Sequence, residues 1–179
     1  MGKMYALQVA GLTRELPLCE VNEHLDIAAF IMFSDVELTI ACATKLNELA
    51  PEHDVLITAE SKGIPLAYEM SRQSGKRYLL ARKSPKVYMR DPIRVVVKSI
   101  TTTHIQALYL DRDDIDYIQG KRVLIVDDVI STGESLNAIK SLVDQAGGQI
   151  VGQMAVLAEG EAAERNDIVY LEKLPVFPK

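Results

Sequence analysis

The stretch RVLIVDDVISTGES, residues 122–135, runs from Val123, Leu124, Ile125 and Val126 straight into Asp127 and Asp128, and then into the small residues Ser131, Thr132 and Gly133. An apolar run bounded by polar residues is the pattern of a strand covered on both faces, as in a parallel sheet. A strand is therefore expected over 122–127, and a helix over 133–146 ended by Gly147 and Gly148. The loop between them would aim several main-chain N–H groups and the hydroxyls of Ser131, Thr132 and Ser135 at one spot, with Gly133 allowing close approach. A phosphate is the natural guest of such a loop. The aspartates beside it carry acceptor-only carboxylates, which suit sugar hydroxyls or a metal-bound water. Phosphate next to hydroxyls describes a ribose 5-phosphate. Taken singly these features have plain explanations, a hydroxyl cap on a helix and a solvated strand end; their adjacency points to a site.

Outward from this stretch the chain alternates. DVLITAESKG (54–63) reads as a short strand running into small and polar residues, IPLAYEMSRQSG (64–75) as a helix stopped at Gly75, and KRYLLARK (76–83) as the next strand. VELTIACATKLNEL (36–49) has the spacing of an amphipathic helix with Asp35 as its N-cap. Residues 4–22 read as an extended arm turning near Gly11, 93–110 as two strands of a long excursion, and 149–158 as a further strand. Strands alternating with helices imply an α/β fold, a mostly parallel twisted sheet with helices on both faces. Ligands of such sheets collect at the carboxyl ends of the strands. No repeat or low-complexity linker divides the chain, so a single domain over 1–179 is expected.

Composition agrees with this. The 179 residues are 48% hydrophobic and 25% charged, which suits one globule with a sizeable core. A net charge of −5 argues against a general nucleic-acid binder, and no apolar run approaches the length of a membrane span. Neither partner is expected. Cys19 and Cys42 make no disulfide framework and, with His24 and His53, have no metal-site spacing. With no signal-peptide layout at the start, the expected location is the cytoplasm. Positive charge is nevertheless concentrated: Arg82, Lys83, Lys86, Arg90, Arg94 and Lys98 face the single acid Asp91 within one segment. A polyanion is expected there, the plain alternative being a basic solvated loop.

With these residues in hand, VLIVDDVISTGES resembles the phosphoribosyl pyrophosphate (PRPP) motif of type I phosphoribosyltransferases, in which apolar residues lead to two acidic ones and a loop containing Thr-Gly. AESKG at 59–63 is similar to the family's pyrophosphate loop, and ARKSPK at 81–86 to the basic stretch opening its mobile loop. Receiver domains of two-component signalling also carry VLIVDD, but near the chain start and with no phosphate-cradling loop after it. The resemblance implies the type I phosphoribosyltransferase fold, with a hood over residues 1–35, a core over 36–160 and a mobile loop over about 84–108. It implies that Asp127 and Asp128 bind the ribose 2- and 3-hydroxyls, directly or through Mg²⁺-bound water. Ser131, Thr132, Gly133, Glu134 and Ser135 would wrap the 5-phosphate. Glu60, Ser61, Lys62 and Gly63 would receive pyrophosphate, often across a strained peptide in this family, with Arg82, Lys83 and Lys86 completing that site. Catalysis would rest on Asp127, Asp128 and Lys83, with Mg²⁺ as cofactor, PRPP and a purine base as substrates, and a homodimer as the assembly.

The layout most resembles the adenine-type members. Arg14, Leu16 and Pro17 are then hood candidates over the base, and Leu157 and Glu159 candidates for the opposite wall, although an apolar strand residue such as Leu157 more often faces a core. Adenine is the first expectation, xanthine or hypoxanthine the second. Adenine-type members generally place a glutamate in the mobile loop, and between Ser84 and Leu108 this chain has none. Thr101 approximates its place, leaving the proton to water or His104. SITTTHIQ resembles the equivalent region of bacterial xanthine enzymes, and ESKGIPLAY a purine repressor of the same fold that uses PRPP as a signal. That repressor carries a DNA-binding domain ahead of the fold; the 35 residues before the first expected helix are too few for one, which favours an enzyme over a sensor.

Overall fold

The computed structural model describes residues 2–97 and 106–179. In chain order the elements are β1 (Met4–Val9), β2 (Leu12–Asn22), β3 (Leu25–Ala28), α1 (Val36–Leu49), β4 (Val55–Ala59), α2 (Ile64–Ser74), β5 (Arg77–Ala81), β6 (Ile93–Val97), β7 (Gln106–Leu110), α3 (Arg112–Ile118), β8 (Arg122–Ile130), α4 (Glu134–Gln145), β9 (Gln149–Glu159), β10 (Val169–Leu174) and β11 (Val176–Pro178).

The apolar run Val123–Val126 lies in β8, the middle of a five-stranded parallel sheet of order β10-β9-β8-β4-β5. Its side chains alternate between two buried layers. Val123 and Ile125 join Ile115 and Ile118 of α3 and Ile139 and Leu142 of α4. Leu124 and Val126 join Leu38 and Leu46 of α1 and Leu66 and Met70 of α2. Helices thus cover both faces, which is why β8 carries no alternation of polar and apolar residues. Local signals act as expected: the Asp35 side chain accepts from Leu38 N–H at 3.0 Å to start α1, and Gly75, with φ of 71°, donates to Ser71 O at 2.9 Å to end α2.

β8 runs three residues beyond its expected end, because Val129 and Ile130 pair with Leu157 and Ala158 of β9. Asp127 and Asp128 therefore sit inside the strand and point to opposite sides of it, Asp128 only 3% exposed and Asp127 half-buried. Four further elements lay outside the sequence reading. α3 has one apolar pair, too short for a helical period to show, and β3, β10 and β11 are brief strands paired mostly with distant parts of the chain.

A second, antiparallel sheet, β1-β2-β3-β11, shares the α1 and α2 layer through Leu7, Leu16 and Ala28; it takes in most of the segment expected as a hood, together with residues 176–178, and is termed the hood. β6 and β7 form a hairpin. Among the described residues no helix is long and apolar enough to cross a membrane. From β4 the chain winds to β5 on one side and, after the hairpin, returns to β8 on the other. The loops leaving β4 and β8 consequently part at the carboxyl ends of adjacent strands, and a crevice opens between them.

Candidate active site

A cavity of about 560 Å³ occupies this crevice. Glu60, Ser61 and Lys62 enter from the β4 end, Asp127, Asp128, Val129, Ser131 and Ser135 from β8 and the loop after it, and Lys83 from beyond β5. The hood contributes Ile27 to Ile31, and β9 contributes Glu159. Next to it, Ser131, Thr132, Gly133, Glu134 and Ser135 bound a recess of about 60 Å³, large enough for a small anion.

That recess lies at the positive end of α4. Gly133, at φ of 81°, is the N-cap and has no side chain to bond the first turn; the first helical bond runs from Asn137 N–H to Gly133 O at 2.9 Å. The N–H groups of the first turn precede that bond and have no helical acceptor. Thr132 Oγ1 stands 3.5 Å from Glu134 N–H, at the limit of a hydrogen bond, so the capping role of this hydroxyl is slight. A phosphate meets these donors and the helix dipole together.

The carboxylate pair lies beside the recess, Asp128 buried and Asp127 half-buried. Asp128 N–H donates to Asp127 Oδ1 at 2.9 Å, while Asp128 Oδ2 has no hydrogen-bond partner among the described residues. Burial first, and then the neighbouring Asp128 carboxylate, push the Asp127 carboxyl well above the ordinary carboxylate range. An orphaned, buried carboxylate oxygen is costly unless a ligand uses it, and acceptor oxygens suit a hard cation or ribose hydroxyls. Among the described residues no three His, Cys, Asp or Glu side chains converge as a metal cage. The pair thus fits Mg²⁺ as a partial ligand set shared with substrate oxygens and water, the coordination that ion favours.

The loop after β4 approaches this pair closely. A Cβ on Gly63 would lie 2.4 Å from Thr58 Oγ1 and 2.9 Å from Asp127 Oδ1, so only glycine lets the loop sit on β8. Gly63→Ala is expected to cost about 1 to 3 kcal/mol of stability through overpacking. Because the clash displaces Asp127, kcat/KM should fall as well, by roughly tenfold or more. Denaturant titration and steady-state rates measure both, and unchanged values would remove the contact. The Glu60–Ser61 peptide at the start of the loop is cis.

Glu60 ties this loop to the basic segment. Its Oε2 accepts from Lys83 N–H at 2.8 Å and its Oε1 from Arg82 Nε at 2.9 Å. The Lys83 N–H and the Arg82 charge hold its carboxyl below the usual range. Arg82 Nη1 also donates to Tyr88 Oη at 2.6 Å. Arg82 therefore braces the cavity from behind, and Lys86, whose Nζ donates to Ser84 Oγ at 2.8 Å, does not line it. Thr101, His104 and Lys98 lie outside the described residues.

Three of the residues expected at the base lie elsewhere. Arg14 is held by Asp35 at 2.6 Å and Glu37 at 2.7 Å, fastening β2 to the start of α1. Leu16 and Leu157 are buried among the hydrophobic side chains between the hood and α1, so neither is a wall. Glu159 does line the cavity, and burial raises its carboxyl pKa while the Lys62 charge opposes this. The wall that the sequence did not reveal is the segment from Ile27 to Ile31, which lines the cavity beside the strand ends. Thr58, with a buried hydroxyl lacking a partner among the described residues, was likewise unmarked.

A helix-end recess, an acidic pair and the basic side chains of Lys62 and Lys83 around one strand-end crevice make an α/β site suited to a sugar phosphate. The chain belongs to the phosphoribosyl transferase domain family, whose model matches residues 37–176. It is 33% identical to the adenine phosphoribosyltransferase of Rhodococcus jostii (strain RHA1) over 127 residues, 70% of this chain and 69% of that one. It is 35% identical to the xanthine phosphoribosyltransferase of Bacillus thuringiensis (strain Al Hakam) over 98 residues, 54% of this chain and 49% of the relative. The fold also matches the crystal structure of adenine phosphoribosyltransferase from Thermoanaerobacter pseudethanolicus ATCC 33223, with a TM-score of 0.65 and 21% identity, covering 77% of this chain and 80% of the other.

Proposed function

We propose that the protein transfers the 5-phosphoribosyl group of PRPP to a purine base, adenine first, giving the nucleoside monophosphate and pyrophosphate. The observation that supports this best is the meeting of three features at one crevice: the 131–135 recess, the Asp127 and Asp128 pair, and the 60–63 loop tied by Glu60 to Lys83. In this reading the 5-phosphate rests in the recess and the ribose hydroxyls meet the carboxylates. The pyrophosphate lies between Lys62 and Lys83. A ring nitrogen of the base bonds to C1 of the ribose while the bond from C1 to the pyrophosphate oxygen breaks, and the electron pair leaves on that oxygen. The proton released from the base passes to a cavity group or to water. The two ammonium groups stabilise the charge that grows on the leaving group, and they are placed before the reaction begins. Mg²⁺, held by Asp127 and Asp128 together with substrate oxygens and water, would neutralise part of the same charge. The enclosing walls keep out water, a competing nucleophile.

Two features favour adenine. The segment Ile27 to Ile31 lines the cavity, where its main-chain groups would pair with the edge of the base, and Glu159 as a carboxylate would accept from an exocyclic amine. The relatives matched over the larger share of the chain are adenine phosphoribosyltransferases, while the xanthine phosphoribosyltransferase matches over a shorter stretch. Xanthine or hypoxanthine is the second reading, because a protonated Glu159, which burial favours, donates to a ring carbonyl. The same function carries a cytoplasmic homodimer; the exposed apolar side chains Phe33, Val36, Ile40 and Tyr68 around one groove suit self-association.

The deciding measurement is kcat/KM for adenine, hypoxanthine, guanine and xanthine with PRPP and Mg²⁺, followed by pyrophosphate release. Adenine is expected to lead by about a hundredfold, the discrimination available to a site whose polar groups pair with one base and not another. A lead of that size for xanthine or hypoxanthine would replace the base assignment. No turnover with any base would make the protein a PRPP sensor.

A further inference from the structure

We infer that Arg165, held in place by Asp167, is a positioning residue for the 5-phosphate, acting on the 131–135 loop from its outer side. The inference rests on the reading of that loop as the phosphate cup. After β9 the chain makes a single 3-10 turn, Gly160–Glu164, and Arg165 closes it by donating its N–H to Ala162 O at 3.1 Å. Asp167 then takes two edges of the guanidinium, Nε at 2.8 Å and Nη2 at 2.7 Å. A bidentate carboxylate fixes the plane of the group and leaves Nη1 to point elsewhere.

Nη1 is directed at Gly133. A Cβ built on that glycine would lie 2.5 Å from it. The guanidinium therefore occupies the space that any side chain at 133 would need, and it lies against the left-handed residue on which the loop turns into α4. Among the described residues Nη1 has no hydrogen-bond acceptor, so its donors and part of the charge remain available to the loop. The bland reading is a local clamp between Arg165 and Asp167, and an ion pair of this exposure, 27% and 45%, contributes little stability by itself. That reading does not account for the guanidinium filling the Gly133 position. Arg165 does not line the recess, so its effect passes through the loop. It limits how far Gly133 can shift, and its field adds to that of the first-turn N–H groups at the place where two negative charges are bound.

The test uses Arg165→Gln and Arg165→Lys in the full chain, with calorimetric affinities for ribose 5-phosphate and, separately, for pyrophosphate. Arg165→Gln is expected to weaken ribose 5-phosphate binding about tenfold and raise the PRPP KM in proportion, the scale of one charged hydrogen-bonding group. Pyrophosphate affinity and the KM for the base should stay within about twofold, because neither contacts this loop in the proposed arrangement. Arg165→Lys, which keeps the charge and loses the fork, should recover part of the loss. Equal weakening of both ligands would reduce Arg165 to a folding role and overturn the inference. So would unchanged ribose 5-phosphate affinity in Arg165→Gln, while the phosphate cup would stand if the parent protein binds ribose 5-phosphate more tightly than ribose. If the parent makes no such distinction, the cup itself is lost, and the inference with it.

Discussion

Replacing Asp127 and Asp128 together by asparagine is expected to lower kcat/KM by at least about a thousandfold while leaving the fold intact, since two charged contacts to the reacting sugar and its cation are lost at once. Intact folding follows from the sign of the Asp127 shift. Its carboxyl titrates higher in the folded chain than in the unfolded one. Folding therefore favours its protonated form, an advantage complete below the unfolded carboxylate range and lost as the pH rises through the folded value. Holding the Asp127 carboxyl ionised in the folded chain therefore works against folding, and an amide at 127 carries no such cost. Without ligand, the double variant should be at least as stable at pH 7.5 as at present. A denaturation midpoint and a rate assay together decide the matter. An unfolded variant would make the pair structural, and parental activity would end its role at the ribose.

Lys83→Ala should raise the barrier by about 2 to 4 kcal/mol, as for loss of one preorganised charge at a departing anion. The substitution is clean for a structural reason. What Glu60 accepts from Lys83 is the main-chain N–H at 2.8 Å, which alanine retains, so the tie between the 60–63 loop and the basic segment survives and only the ammonium goes. Nucleoside monophosphate contains no pyrophosphate, and its affinity should change by less than about threefold. Equal losses in rate and in nucleotide affinity would move Lys83 to the 5-phosphate or away from the site.

The parts of this fold that were legible are those whose cause is local. Val123 to Val126, the Asp35 cap and Gly75 each announce their element within a few residues, and the small-residue loop after β8 announces a helix end that binds an anion. The illegible parts depend on pairing across the chain. β3 is four residues long and is a strand because β2 and β11 flank it. The cavity wall from Ile27 to Ile31 begins in that strand, so its place depends on the same remote pairing. Arg14 and Leu157 misled for the opposite reason: each is the kind of residue a base pocket uses, but an ion pair at α1 holds one and the core holds the other. Arg165 was silent because its meaning lies in its distance from Gly133, 32 positions away in sequence.

The hood is stitched from two remote segments. Val176 and Phe177 pair with Ile27 and Asp26, Lys179 N–H donates to His24 O at 3.0 Å, and the rings of Tyr5 and Phe177 meet at 5.3 Å. Ile27 is also where the cavity wall begins. During synthesis on a ribosome, β4, β8 and the loops after them emerge before residues 176–179. On the proposed function, a nascent chain that has made β8 and not yet β11 would have the strands for the donor while the wall beside the acceptor still lacks its brace.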